Sequence, residues 1–167
     1  MQKEKLNLGQ LNLIGLKIRT NNRDEMNPET SKIAMLAGQY WGEQVANAFK
    51  GRIHPGVTYA AYTEYDSDEH GEYTYFIGEA VDGGEAQDLS QFKSLIIPQS
   101  TYQKFTTESG QMPDIVIASW QDIWGMGEAD FEGKRSYVAD FEVYDERAHN
   151  PNQMALDIYI GINNKHS

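Results

Sequence analysis

One internal correspondence constrains the fold more than any other feature of the chain. Trp41 stands 24 residues before Tyr65-Asp66, and Trp120 stands 24 residues before Tyr144-Asp145. Further on, Ile77-Gly78 is matched by Ile160-Gly161. Three matches in the same order indicate a duplicated unit. Each copy reads strand–helix–strand–strand. The first copy, about residues 8–82, begins with a strand over Leu11–Thr20. A helix is expected from Asn27-Pro28 to about Lys50, with Pro28 in its first turn and Gly51 as its stop. A hairpin follows, Val57–Tyr65 and Tyr73–Val81, around an acidic turn. Asp82 to Gln91 is a polar connector. The second copy, about residues 92–163, repeats the order. Phe92–Thr107 is extended, Pro113-Asp114 opens a helix closed by Gly125, and Tyr137–Asp145 and Ala155–Ile162 are strands. The expected fold is α+β: two fused βαββ repeats about a pseudo-twofold axis, one antiparallel sheet, both helices packed on one face. The seam between copies is where a cleft would open. Open edge strands leave dimer formation possible.

The strand Ser136–Asp145 carries the chain's most unusual residue. Ala139, Phe141 and Val143 alternate against Val138, Asp140, Glu142 and Tyr144. A mid-strand carboxylate is costly unless water or a cation reaches it. Glu142 is therefore the candidate binding charge. The competing reading is an internal ion pair with Arg135, Arg147 or Lys134. Only the second copy carries this carboxylate, because Thr63 holds the matching position in the first; any site is asymmetric. Phe76 falls opposite Tyr159 in the repeat. If the alternation holds, Tyr144, Tyr159 and Phe76 share the face of the charge and would wall a site. Asp140 and Asp157 fall there too, either adding attraction for a cation or reaching solvent. Trp120, Trp124, Trp41 and Tyr40 lie on helix stripes. Trp41 reads as core, Trp120 as both core and wall, and Trp124 and Tyr40 complete the candidate set.

Composition narrows the function. With 14 basic against 25 acidic residues the net charge is −11, which argues against a nucleic-acid surface. The absence of cysteine excludes disulfides, thiolate zinc sites and cysteine nucleophiles, and fits a cytoplasmic protein. No apolar run suggests a signal peptide or a membrane span. Ten tyrosines suit a pocket wall. The turn Asp66–Glu72 begins like a calcium loop but has His70 at its fifth position and Ile77 at its twelfth. His54, His70, His149 and His166 lack metal spacing. No Gly-x-Ser-x-Gly elbow or nucleophile–histidine pair is present. Neither a metal nor a cofactor is expected.

The doubled plan, Trp120, the run Asp140-Phe141-Glu142-Val143-Tyr144-Asp145, the Asn150-Pro151-Asn152 loop and the closing Ile158-Tyr159-Ile160-Gly161-Ile162 carry a resemblance. Over nearly its whole length the chain resembles the gyrase-inhibitor-like (GyrI-like) effector-binding domains of AraC-type and multidrug-responsive transcription regulators. It is particularly similar to stand-alone members carried on mobile gene cassettes. The resemblance implies a module for hydrophobic organic cations, with a buried glutamate, matching Glu142, among aromatic rings that include Trp120. Regulator members carry a helix-turn-helix domain that has no match here, so control of transcription would need a separate DNA-binding protein, or the chain works alone as a drug-binding protein. Some members of the wider family hydrolyse strained electrophiles, which would make Glu142 a general base with Tyr144 orienting it. A third reading, a protein-interaction module, would use the acidic surface and no cavity.

Overall fold

The computed structural model describes residues 1–68 and 70–163. One antiparallel eight-stranded sheet contains β1 (Gln2–Leu8), β2 (Leu11–Asn21), β3 (Thr58–Thr63), β4 (Glu72–Ala80), β5 (Lys93–Ile97), β6 (Ser100–Thr106), β7 (Lys134–Tyr144) and β8 (Asp157–Asn163). Its order is β1-β6-β8-β7-β3-β4-β2-β5. From the central β7/β3 pair the succession outward is the same in both directions: second, third and first strand of a repeat, then one more. That last strand comes from outside the repeat whose edge it extends. β1 precedes the first copy yet pairs with β6 of the second, while β5 pairs with β2 of the first. Sequence periodicity missed β1 because Gln2–Lys5 is exposed and charged, as edge strands are. The extended stretch Phe92–Thr107 proves to be two strands broken at Pro98-Gln99, where proline cannot donate to a ladder.

These links also bend the sheet. Gly9-Gln10 joins β1 to β2, and Pro98-Gln99 joins β5 to β6, although in each pair the strands belong to opposite ends of the sheet. Two-residue links span about 11 Å at most, so the two ends of the sheet must approach each other. The sheet curls without closing, since β1 and β5 do not pair. One face holds a core made only of strand residues, including Leu13, Phe76, Tyr102 and Phe141. The other face, with Ile14, Ala60, Ile77, Ile158 and Ile160, lies under the helices. The repeated Ile-Gly pairs have a steric reason. A Cβ on Gly78 would lie 2.0 Å from the Ile14 carbonyl oxygen, and one on Gly161 2.7 Å from that of Ala139.

Four α-helices occur among the described residues: α1 (Asn22–Glu25), α2 (Ile33–Gly42), α3 (Asp114–Trp124) and α4 (Glu128–Phe131). The second long helix begins and ends where the sequence suggests. The first does not. Asn21 caps the short α1, Pro28 sits in a turn, and α2 starts only at Ile33. Glu25 fixes that start by accepting the backbone N–H groups of Lys32 and Ile33, both at 2.9 Å. A cap supplied from eight residues upstream leaves no local signature. α2 ends at Gly42, and a short 3₁₀ turn over Val45–Ala48 replaces its expected last turns after Gln44 takes a left-handed conformation.

β7 is irregular. Its register shifts between Arg135 and Asp140, and Tyr137 has φ 52°. A bulge of this kind re-aims side chains. Here it lets Arg135 fold back onto Asp140 of its own strand.

Candidate functional site

The seam between the repeats opens into a cavity of about 520 Å³, a size suited to a small organic molecule. β3, β4 and β7 form its floor with Tyr62, Tyr73, Tyr75, Glu142 and Tyr144. α2 supplies Ile33, Ala37 and Trp41 to one wall, and α3 supplies Val116, Trp120 and Trp124 to the other. All three tryptophans of the chain line this cavity. Trp41, Ile117 and Trp124 are partly exposed at its rim, as is Met26 from the turn after α1.

Glu142 is only 2% exposed. Its register neighbours are Ala60 on β3 and Ile158 on β8, so neither adjacent strand brings it a charge. Its contacts are three neutral donors. Tyr144 donates to Oε1 at 2.6 Å; Trp120 Nε1 and Tyr62 donate to Oε2 at 2.6 and 3.0 Å. Burial raises the Glu142 carboxyl above the ordinary glutamate range, and the three hydrogen bonds only partly offset it. Burial, and then the nearby carboxylate, push the hydroxyls of Tyr62 and Tyr144 well above the usual phenol value, so both remain donors. The rings are packed edge to face, with Tyr62–Trp120 at 5.1 Å and Trp41–Tyr144 at 5.4 Å.

The ion-pair reading of Glu142 fails residue by residue. Arg135 pairs with Asp140 at 2.7 Å, Arg147 with Asp145 at 2.8 Å and Asp157 at 2.9 Å, and Lys134 approaches Glu128 at 3.9 Å. Among the described residues no cation pairs with Glu142. Asp140 and Asp157, which share the sequence-derived face, are thereby neutralised internally.

The structure brings together Glu142, Tyr144, Trp120 and Trp124 of the candidate set. It sets the other three apart. Phe76 and Tyr159 belong to the opposite face of the sheet, where Tyr159 stacks on Phe141 at 4.6 Å. Thr63, the repeat counterpart of Glu142, is paired with Ala139 and so belongs to the strand-only face, opposite that of Glu142. Tyr40 is core, packed on Phe49 with a buried, unpartnered hydroxyl. Sequence reasoning missed Tyr62, Tyr73 and Tyr75 and placed Trp41 in the core. The period-2 spacing of Tyr73 and Tyr75 was a usable signal for one tyrosine-lined face. In the acidic turn Asp66 pairs with Arg19 at 2.6 Å. Glu69 and His166 lie outside the described residues. No group of three metal-ligating side chains comes together among the described residues, and no helix there is long and apolar enough to cross a membrane.

Comparison with known proteins fits this geometry. The putative transcriptional regulator protein YobU of Bacillus subtilis is 29% identical over 150 residues, 89% of each chain. The integron cassette protein VCH_CASS2, from the mobile metagenome of Vibrio cholerae, superposes with a TM-score of 0.75 at 27% identity, covering 96% of this chain and 95% of that one. SAV2435, solved bound to tetraphenylphosphonium, has the same fold, with a TM-score of 0.72 at 17% identity over 98% of this chain and 94% of its own. A family model described as integron-associated effector binding protein matches residues 7–162, and with nearly its whole length inside that match the chain belongs to this family of effector-binding proteins.

Proposed function

We propose that the cleft binds a hydrophobic organic cation, with Glu142 as its counter-ion, and that the chain works without a cofactor as a sensor or sequestering module. One observation carries this reading: a fully buried carboxylate surrounded by neutral donors, with every candidate internal cation engaged elsewhere. Burying such a charge costs several kcal/mol unless it is paired, on the order estimated for buried ions generally. A greasy cation offsets that cost, and each ring facing it adds about 0.5–2 kcal/mol. The cation-bound neighbour SAV2435 supports the ligand class, and the regulator-like relative YobU supports a regulatory setting. In such a setting a separate DNA-binding protein would read the bound state. An interaction module without a cavity does not account for the cleft. A general base needs a free acceptor position facing water, and the crowding of donors around Glu142 favours binding over catalysis.

The test is a titration with tetraphenylphosphonium read by tryptophan fluorescence. Because all three tryptophans line the cavity, strong quenching is expected, with far less from neutral triphenylphosphine oxide. Glu142→Gln should weaken phosphonium binding about tenfold, or about 1.4 kcal/mol. Equal affinity for the cation and its neutral analogue would sink the proposal.

A further inference from the structure

Away from Glu142, one side chain in the cavity lining has its charge satisfied but not its hydrogen bonds. Arg135 lines the cavity, and its side chain is 9% exposed. Asp140 neutralises it through Nη2 at 2.7 Å, and the Tyr137 ring centre lies 4.5 Å from its Cζ. That contact with Asp140 is the guanidinium's one hydrogen bond among the described residues. Nε is buried without a partner, and Nη1 makes no bond. The neighbouring hydroxyls have given their protons away: Tyr65 donates to Asp140 at 2.6 Å and Tyr73 to Asn22 at 2.7 Å. Buried donors are ordinarily paired, and a guanidinium can only donate. This part of the cavity therefore suits an acceptor, as the Glu142 part suits a cation.

We infer that the cavity takes two-ended ligands: a cation for Glu142 and, roughly 7–10 Å from its positive centre, a neutral carbonyl-type oxygen that accepts from Arg135. This rests on the cation reading given above and goes further by assigning a second binding group, at a residue that does not touch Glu142. The spacing follows from the strand. Asp140 and Glu142 stand two residues apart on one face of β7, about 7 Å along it, and the guanidinium sits one hydrogen bond from Asp140. The acceptor is neutral because the charges of Arg135 and Asp140 cancel. A carboxylate arm would meet no net positive charge there and would face Glu142 and Glu25, both in the lining, as well. An amide, ester or ketone oxygen needs only the N–H groups. Held by Asp140 and the Tyr137 ring, those groups are in place before a ligand arrives, which spares the cost of ordering them.

The experiment titrates a matched pair into the full chain by calorimetry at pH 8: (para-acetylbenzyl)triphenylphosphonium and (para-isopropenylbenzyl)triphenylphosphonium. They share charge and shape and differ in a carbonyl oxygen against a methylidene carbon. The acetyl ligand should bind the unaltered chain about threefold or more tightly. Arg135→Met combined with Asp140→Asn removes the donor, keeps the net charge and strands no carboxylate; there the preference should vanish or reverse. A role of Arg135 in folding alone would change both affinities alike and leave their ratio. Arg135→Lys, which keeps the ion pair but not the fork of N–H groups, serves if the double variant is unfolded by circular dichroism. Equal affinity, or preference for the isopropenyl ligand, in the unaltered chain overturns the inference and leaves the cation reading standing. So does a preference that survives the substitution; were it abolished by Tyr75→Phe instead, the acceptor would sit on the Tyr75 hydroxyl. If neither ligand binds, the cation reading fails, and the inference falls with it.

Discussion

Asp140 and Glu142 stand two residues apart on β7, on the same face and nearly equally buried, at 0% and 2% exposure. Their surroundings differ in one respect. Asp140 holds Arg135 at 2.7 Å, the Tyr65 hydroxyl at 2.6 Å and the Gly161 amide at 2.9 Å. Glu142 has three donors as well, but none carries a charge. The first carboxylate is a closed structural unit: its counter-ion is internal, and the bulge at Tyr137 delivers it. The second is an open one. Only a charge with no internal partner gives an external cation something to gain. Glu142 itself lines the cavity, whereas Asp140 does not and meets the lining only through its own partners Arg135 and Tyr65.

Removing the internal partner should make the two carboxylates alike, and this carries the largest expected effect. Arg135 is 9% exposed at the side chain. Arg135→Met leaves Asp140 buried and unpaired, and should cost about 3–5 kcal/mol in urea unfolding. A loss below about 1 kcal/mol would show that Asp140 does not depend on its guanidinium. Arg135→Met combined with Asp140→Asn should recover most of the loss, since the stranded charge is gone.

The converse substitution has the opposite sign. Glu142→Gln removes a buried charge that lacks a partner and keeps an acceptor for Trp120 and Tyr62. At neutral pH the unliganded variant should be more stable than the parent by about 1–2 kcal/mol. The gain should depend on pH. The Glu142 carboxyl is raised above its ordinary value of 4.5, by burial first, so it holds its proton more tightly folded than unfolded. Its stabilising contribution is complete below about 4.5 and is lost as pH rises through the folded value. The advantage of Glu142→Gln should therefore be near zero at pH 4 and grow towards pH 8. Asp145, lowered by its bond to Arg147, titrates the other way, but it is present in both proteins and cancels from the difference. A constant difference across that range, measured by thermal unfolding, would contradict the assignment of an unpaired charge.

The sequence exposed this open charge more readily than its surroundings. The duplication was legible because its markers are steric: Gly78 and Gly161 stand where neighbouring backbone leaves no room for a side chain. α3 was legible because its start and stop are local. α2 was not, because Glu25 caps it from across a turn. β1 was obscured by its exposed, charged residues, and β5 was read as one stretch with β6; that each pairs with the other repeat had no local signature. The wall tyrosines failed through register. In an ordinary half-buried sheet the apolar residues mark the inner face, but this curled sheet has an apolar core on each side. Alternation within β4 and β8 is clear, yet nothing local says which set shares the face of Glu142. A slip of one residue exchanges the faces.

That ambiguity makes the smallest expected effect a useful one. Tyr159 and Tyr75 each fit a tyrosine beside the charge when the sequence is read alone, and the structure puts the sheet between them. Tyr75 lines the cavity. Tyr159 stacks on Phe141, with Tyr102 edge-on at 6.0 Å. Tyr159→Leu keeps an apolar side chain there and should shift phosphonium affinity by less than about twofold, although lost stacking should cost stability on the order of 0.5–1.5 kcal/mol. Tyr75→Leu removes a ring from the floor and should weaken binding by about threefold or more. Paired fluorescence titrations decide between the two faces. If Tyr159→Leu proved the more damaging to binding, the cation would sit on the strand-only face of the sheet, and the contrast between Asp140 and Glu142 would lose its functional meaning.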